Sequence, residues 1–371
     1  MRLLHTSDLH LGRKLGEYTL AEDQRRMLKT LTEMAKDTKA DAILLAGDLY
    51  DKSAPSPESV ADFDAFVTEL ARMDVTVCAV AGNHDSPERV ACYGSLLTAA
   101  GVYLAPVYEG TVMRVELSDA YGPVHIHLLP FLKPAQVRRF FPDEPTATTC
   151  DAVRTVLRHM PYDPDVRNIL LTHQFYTRAG TAPALSDSES VYVGATDNVD
   201  AELLEGFDYV AMGHLHRAQT VGCENFRYAG SPLKYSVSEA YDEKSAVLID
   251  LGETCRIETL PITPFRDIRV LRGPIEKLLD DGRESAGDFV AVTLTDALPP
   301  PDALQRLREA FPNLLRLDYA ALTPTDSPTA ASDVAQKSVE QLFHEFYEAQ
   351  TGTPPDERQS AMIRELLEET L

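Results

Sequence analysis

A chain of 371 residues is long enough for one large core and a second, smaller unit. Its hydrophobic fraction of 44% and charged fraction of 25% are ordinary for a globular protein. The net charge of −23 removes the electrostatic footprint of a self-sufficient nucleic-acid binder. A polyanionic substrate would need metal ions, local basic patches or a partner to offset the repulsion.

No run of about 18 uninterrupted apolar residues occurs, which excludes a transmembrane helix. The opening residues reach His5 and Asp8 too soon for the apolar region of a secretory signal. The cysteines Cys78, Cys92, Cys150, Cys223 and Cys255 are odd in number and scattered, with no Cys-x-x-Cys pair. Reduced thiols in a cytoplasmic protein are therefore expected, with neither a disulfide framework nor a zinc–thiolate site.

In chain order, a strand at residues 2–6 leads into Ser7-Asp8-Leu9-His10-Leu11-Gly12. A helix over about 20–37 follows, with Met27, Leu28, Leu31 and Met34 on one face. The apolar run 41–46 ends in Gly47-Asp48, and Pro55 and Pro57 start a helix whose apolar face holds Val60, Phe63, Phe66, Val67 and Leu70. The run 75–81, short and β-branched, stops at Gly82-Asn83-His84-Asp85. This β-α-β-α-β order predicts a layered α/β domain whose parallel strands end on one edge, where such sheets place their sites.

Residues 111–117 and 124–129 alternate in character and read as antiparallel strands of a second sheet. A helix over 149–159 precedes a buried strand ending in His173, and residues 178–198 read as a long loop. The run 207–212 leads into Gly213-His214-Leu215-His216, and strands near Arg227, Val247 and Ile257 finish a domain at about residue 264. Residues 265–322 fit a small α+β unit, with strands at 268–271 and 290–294 and helices near 275–279 and 301–310. Residues 323–332 form a polar, proline-containing linker. Two amphipathic helices follow in 333–371, the second capped by Thr353-Pro354-Pro355-Asp356. A phosphate-binding Gly-x-x-x-x-Gly-Lys loop is absent.

Five of the ten histidines stand at strand ends, together with Asp8, Asp48 and Asn83. A single His or Asp there is commonly a cap or loop anchor. Burying this many polar donors on one edge is costly without cations. A set of carboxylate, imidazole and amide oxygen, lacking thiolate, fits Mn²⁺, Fe²⁺ or a hydrolytic Zn²⁺. Two ions about 3.5–4 Å apart activate water and clamp a phosphoryl oxygen during in-line attack.

The series Asp8-x-His10, Gly47-Asp48, Gly82-Asn83-His84-Asp85, His173 and Gly213-His214-x-His216 resembles the signature of the calcineurin-like metallophosphoesterases. The fuller wording is similar to the nuclease (SbcD) subunits of bacterial SbcCD-type complexes. The matching stretches are residues 5–12, Ala46-Gly47-Asp48-Leu49-Tyr50-Asp51, Leu171-Thr172-His173-Gln174, residues 229–235 and the paired tail helices.

The resemblance implies an α/β fold: a four-layer β-sandwich flanked by helices, with a small α+β capping domain and C-terminal helices. It implies that Asp8, His10 and His216 hold one divalent ion, that Asn83, His173 and His214 hold a second, and that Asp48 bridges them. Mn²⁺ is the expected metal. His84 would face the scissile phosphate as the catalytic residue. Asp51 stands where the archaeal and eukaryotic branch carries His, so that residue's strand-guiding role does not transfer.

The implied domains are a nuclease domain at 1–264, a DNA-binding cap at 265–322, the linker at 323–332 and helices at 333–371. Those helices would dock on the coiled coil of a partner SbcC-type ATPase. In the cap, Arg266, Arg269, Arg272, Arg306, Arg308 and Arg316 are candidates for phosphate contact. The implied assembly is a homodimer, through helices near 57–70 and 87–99, within a heterotetramer. The implied setting is the cytoplasm, associated with the nucleoid and not with a membrane. The implied reaction is metal-dependent cleavage of DNA, exonucleolytic and endonucleolytic, in repair, recombination and replication. A phosphodiesterase for small nucleotides shares the same motifs, and a non-catalytic scaffold is a third possibility that the intact donor set argues against.

Overall fold

Five short apolar runs, each stopped by glycine or a polar residue, become the buried strands of two sheets. The structure, a computed structural model, describes residues 1–105, 107–178, 183–189, 198–281 and 286–320, with 344, 347, 348, 354–356, 358–360 and 362 beyond them. The chain forms two units, Met1–Asp318 and Tyr319–Leu371.

In the first unit, one sheet runs in the order Cys255–Pro261, Ser245–Leu251, Arg2–Thr6, Ala42–Ala46, Thr76–Val80 and Val102–Leu104. The last four strands are parallel, with Leu3 beside Ala42, Ala42 beside Thr76 and Val77 beside Val102. The first two join antiparallel at the other edge. The second sheet runs Gln219–Val221, Cys223–Tyr228, Tyr209–Gly213, Arg167–His173, Gly122–Leu129 and Met113–Asp119. Its outer pair, Met113–Asp119 with Gly122–Leu129, is antiparallel as expected, but its four inner strands are parallel. The parallel register sets Gly213 beside His173, so two of the motif-bearing strand ends are neighbours.

Three apolar clusters separate four layers. Leu3, Leu44, Val80, Ile126, Leu171 and Ala211 fill the space between the sheets. Leu31, Ile43, Phe66 and Leu70 lie between the first sheet and its helices, and Val153, Val156, Leu170 and Val210 do the same behind the second. Each helix docks by its apolar stripe. Ala21–Thr38 buries Met27, Leu28, Leu31 and Ala35 and ends at Lys39 in the left-handed conformation. Pro57–Arg72 starts with Pro57 after Ser56, whose side chain accepts from the amide of Ser59. It buries Phe63, Phe66, Val67 and Leu70, whereas Val60, expected on that face, is 45% exposed. Thr148 caps Thr149–His159, the helix expected over those residues.

The small α+β part holds Ile268–Gly273 parallel to Phe289–Leu294, crossed by Ile275–Asp281, and then Ala303–Ala310. A third strand, Leu314–Tyr319, was not anticipated. Ile268 and Phe289 join the core under the first sheet's helices. Most of the candidate arginines here are engaged with acids: Arg266 with Asp23, Arg269 with Asp288 at 3.1 Å, Arg306 with Glu276 at 2.8 Å, Arg308 with Glu17 at 3.4 Å, and Arg316 with Asp318 at 2.6 Å.

The helices expected near 87–99 are the short turns Pro87–Val90, Gly94–Leu97 and Thr98–Ala100. The linker at 323–332, and most of both tail helices, lie outside the described residues. Within the second unit, Asp356 and Gln359 exchange side chain-to-backbone bonds of 2.8 and 2.9 Å, the reciprocal cap expected at the start of the last helix.

Candidate metal centre

The parallel strands end where the two sheets come together. Nδ1 of His173, on the second sheet, donates to the carbonyl of Ala46, the last residue of a strand in the first sheet, at 2.7 Å. Gly213 is required beside this contact, because a Cβ there would collide with the Ala46 carbonyl. Gly47 and Gly82 are required for similar reasons: a Cβ would strike the His173 ring at one and the Asp48 carboxylate at the other.

After each strand the backbone turns sharply. Asp8, His10, Asp48 and His214 all have positive φ, at 54°, 43°, 48° and 102°. Non-glycine residues avoid this region, and where they persist in it the surroundings hold them there. The loops hold one another: the amide of Asp8 donates to the carbonyl of Gly47 at 3.0 Å, and the amide of His10 to that of Asp48 at 2.9 Å.

All seven sequence-predicted donors converge. Nε2 of His10 faces Nε2 of His216 at 3.1 Å. Oδ1 of Asn83 sits 3.0 Å from Nε2 of His173 and 3.0 Å from Nδ1 of His214. Oδ2 of Asp48 faces both sides, 3.7 Å from Nε2 of His10 and 3.4 Å from Nε2 of His173. The Asp8 carboxylate accepts the amide of His214 at 3.2 Å. Asp8, His10 and His216 bring their ligand atoms within 4.8 Å of one another, as do Asp8, Asp48 and His173.

Asp8, His10, Asp48, His173 and His216 are buried, whereas Asn83, His84 and His214 reach towards solvent. One side of the centre is therefore open to a ligand. Burial holds His10 well below the usual imidazole range, so its nitrogen is a lone-pair donor. Burial opposes ionisation of Asp48, but the facing His173 ring outweighs it and holds the carboxyl well below its usual range. Burial raises Asp8 despite His173 and His216. His173 is raised to about 9 because the Asp48 carboxylate outweighs its burial.

Two imidazole nitrogens directed at each other and one amide oxygen shared by two rings form a converging set of nitrogen and oxygen donors. Such a set fits borderline divalent cations.

His84 sits at the edge of this group. Its amide donates to Oδ1 of Asp48 at 2.9 Å, and its Nδ1 lies 3.1 Å from the carbonyl of Asp51. Donation at Nδ1 leaves Nε2 as the ring's other protonation site. Its ring packs edge-on against His10 with centroids 4.9 Å apart.

Several supporting residues had no assigned role in the sequence reading. Asp85, the last residue of the Gly-Asn-His-Asp run, accepts the amides of Gly82, Tyr50 and Leu49 at 2.9, 2.9 and 3.1 Å. It ties the Asn83 loop to the Asp48 loop, and its position in the motif was the available signal. Gln24 accepts the amide of Gly12 at 3.0 Å and donates to the His10 carbonyl at 2.7 Å. Asp51 accepts from Arg13 at 3.0 Å and lies 3.8 Å from Nδ1 of His10. The 229–235 stretch braces the rear: Ser7 donates to the Gly230 carbonyl at 3.2 Å, and the Tyr235 hydroxyl donates to that of Leu9 at 2.5 Å.

Residues 1–218 match the calcineurin-like phosphoesterase family, and residues 264–351 match the type 5 capsule protein repressor C-terminal domain. The D subunit of the SbcCD nuclease from Staphylococcus epidermidis is 28% identical over 375 residues, covering 99% of this chain and 98% of its own. Among solved structures, a Thermus thermophilus protein is similar at a TM-score of 0.42 and 19% identity, over 71% of this chain and 99% of its own. A dimetal phosphatase from Danio rerio is similar at 0.40 and 12%, over 71% of this chain and 97% of its own. The family match covers more than half of the chain and takes in every strand end that carries a donor, so the chain belongs to the calcineurin-like phosphoesterase family.

Proposed function

We propose that this chain is the nuclease subunit of an SbcCD-type complex, hydrolysing phosphodiester bonds of DNA with two divalent ions, Mn²⁺ in the first instance. The observation that carries the reading is the convergence of Asp8, His10, Asp48, Asn83, His173, His214 and His216 at one partly open edge of the strand ends. Asp8, His10 and His216 would hold one ion, and Asn83, His173 and His214 the other. Asp48, whose Oδ2 faces both His10 and His173, would be the residue shared between the two ions. A bound pair of ions supplies Lewis-acid activation of water and charge neutralisation at phosphorus.

The protein's own contribution beyond the ligands is His84. With Nδ1 donating to the Asp51 carbonyl, Nε2 is the nitrogen that would pass a proton to the departing 3′-oxygen, leaving a 5′-phosphate product. A proton supplied at this position is worth roughly 10²–10⁴-fold in rate.

The wider assignment follows the full-length similarity to the Staphylococcus epidermidis subunit. Residues 1–264 would be the nuclease domain, 265–322 the cap over the DNA, and 323–332 the linker. Residues 333–371 would dock on the coiled coil of an SbcC-type ATPase. The assembly would be a heterotetramer around a homodimer of this chain, cytoplasmic and nucleoid-associated. It would cut double-strand ends 3′→5′ and single strands or hairpins internally, in repair, recombination and replication, under ATP-dependent control by the partner. Among the described residues no helix is long and apolar enough to cross a membrane.

The test is incubation of the purified chain with end-labelled linear duplex DNA, with Mn²⁺ or with EDTA. Shortening in Mn²⁺ alone is the expected result. No shortening, together with rapid hydrolysis of small phosphodiesters, would move the assignment to a small-nucleotide phosphodiesterase.

A further inference from the structure

The imidazole of His216 presents Nε2 to His10 and turns Nδ1 away from the centre. On that far side Nδ1 lies 2.6 Å from Oγ of Ser188, and the Ser188 hydroxyl donates to Oε1 of Glu239 at 2.5 Å. A hydroxyl has one proton and two lone pairs. With its proton given to Glu239, Ser188 accepts from His216, and its remaining lone pair takes the Ser186 hydroxyl at 2.7 Å. The other Glu239 oxygen accepts Nζ of Lys244 at 2.6 Å. The two remaining Lys244 protons go to the His216 carbonyl at 3.0 Å and Oγ of Ser231 at 2.9 Å. Every donor of the ammonium is used.

Glu239 is 0% exposed and Lys244 5%. A buried ion pair with all its hydrogen bonds made has no water to exchange with, so its polarity is fixed.

We infer that Ser188, Glu239 and Lys244 are positioning residues that dictate which nitrogen of His216 carries the proton. Lys244 orients the Glu239 carboxylate, Glu239 claims the Ser188 proton, and Ser188 accepts Nδ1–H of His216. The Nε2 lone pair is thereby directed towards Asp8 and His10. An imidazole protonated at Nε2 offers no lone pair there, so the relay selects the tautomer able to bind a cation. This rests on reading the centre as a divalent-metal site. It also gives the 183–189 segment a task, since Ser188 is held in place by Arg13 donating to its carbonyl at 3.2 Å, and Glu189 accepts the His216 amide at 2.5 Å.

Outer hydrogen-bond partners of metal-binding histidines typically govern about 10–100-fold in metal affinity. The test is Mn²⁺ titration of the metal-stripped full chain by calorimetry, with the melting temperature of the metal-free protein as a parallel readout. Ser188→Ala and Glu239→Gln should each weaken one of the two Mn²⁺ equivalents by about 10–100-fold. Ser188→Thr, which keeps the hydroxyl, should retain the affinity. If Glu239 acts through Ser188, the double variant loses no more than the weaker-binding single variant.

Two outcomes would overturn the relay alone: wild-type affinity in both single variants, or single losses that multiply in the double variant as two separate structural effects do. A wild-type chain that binds no Mn²⁺ would instead overturn the metal-centre reading, and the relay with it.

Discussion

The amide of His84 donates to Oδ1 of Asp48 at 2.9 Å, while Oδ2 of the same carboxylate faces His10 and His173. One side chain thus sets the position of the proposed catalytic imidazole and of the proposed bridging ligand together. The expectation follows that His84→Gln keeps the backbone bond, binds Mn²⁺ as the wild type does, and loses roughly 10²–10⁴-fold in DNA cleavage rate. Single-turnover cleavage alongside a Mn²⁺ titration checks it; cleavage at the wild-type rate would remove His84 from the reaction.

Asp85 holds three backbone amides of two different loops. Asparagine offers one acceptor oxygen in place of two, and its NH₂ group would face an amide donor. Asp85→Asn is therefore expected to destabilise the chain by about 2–3 kcal/mol, the scale of a charge-assisted hydrogen bond broken in a buried site. Urea denaturation of the metal-free protein measures it. A change below about 0.5 kcal/mol, the level of ordinary surface substitutions, would mean that the loops are held by other contacts.

Asp119 gives the pH dependence. It accepts from Arg167 at 2.5 and 3.2 Å and from the amide of Tyr121 at 2.8 Å, and the Arg167 guanidinium holds its carboxyl well below the usual range. A carboxyl whose folded pKa is depressed binds fewer protons folded than unfolded through this range. Its stabilisation is complete above the ordinary carboxylate pKa of about 4 and is lost as pH falls below it. Chemical denaturation from pH 5 to pH 2.5 should therefore show wild-type stability falling relative to Asp119→Asn. Parallel curves for the two proteins would contradict the assignment.

Gly213 is fixed by space. A Cβ there would overlap the Ala46 carbonyl, the group that also accepts His173 Nδ1–H. Gly213→Ala is expected to cost about 1–3 kcal/mol, as overpacking does, and to weaken Mn²⁺ binding by displacing His173. Thermal melting and metal titration together test this, and loss of stability with unchanged metal affinity would separate the packing from the site.

The donors at the strand ends were legible because buried apolar strands rarely stop in carboxylate, imidazole and amide groups, and Asp8, Asp48, Asn83, His173 and His214 each follow such a strand. The helices were legible from spacing, as at Met27, Leu28 and Leu31. The supporting groups were not. Ser188 lies in a polar stretch with no periodicity, and Glu239 and Lys244 have no local pattern around them; folding alone buries them against His216. Their significance lies in contacts across 28 and 51 positions, which no local pattern encodes. The parallel pairing of the second sheet was hidden for a related reason: strand alternation reports which faces are buried, not the direction of the neighbouring strand.

Counting the bound ions tests the central claim most directly. After removal of metal and equilibration with excess Mn²⁺, elemental analysis of the desalted chain should give two ions per wild-type chain, and Asp48→Asn, which alters the proposed bridge, should retain fewer than two. A wild-type chain carrying no Mn²⁺, or an Asp48→Asn chain carrying both ions, would contradict the dinuclear centre.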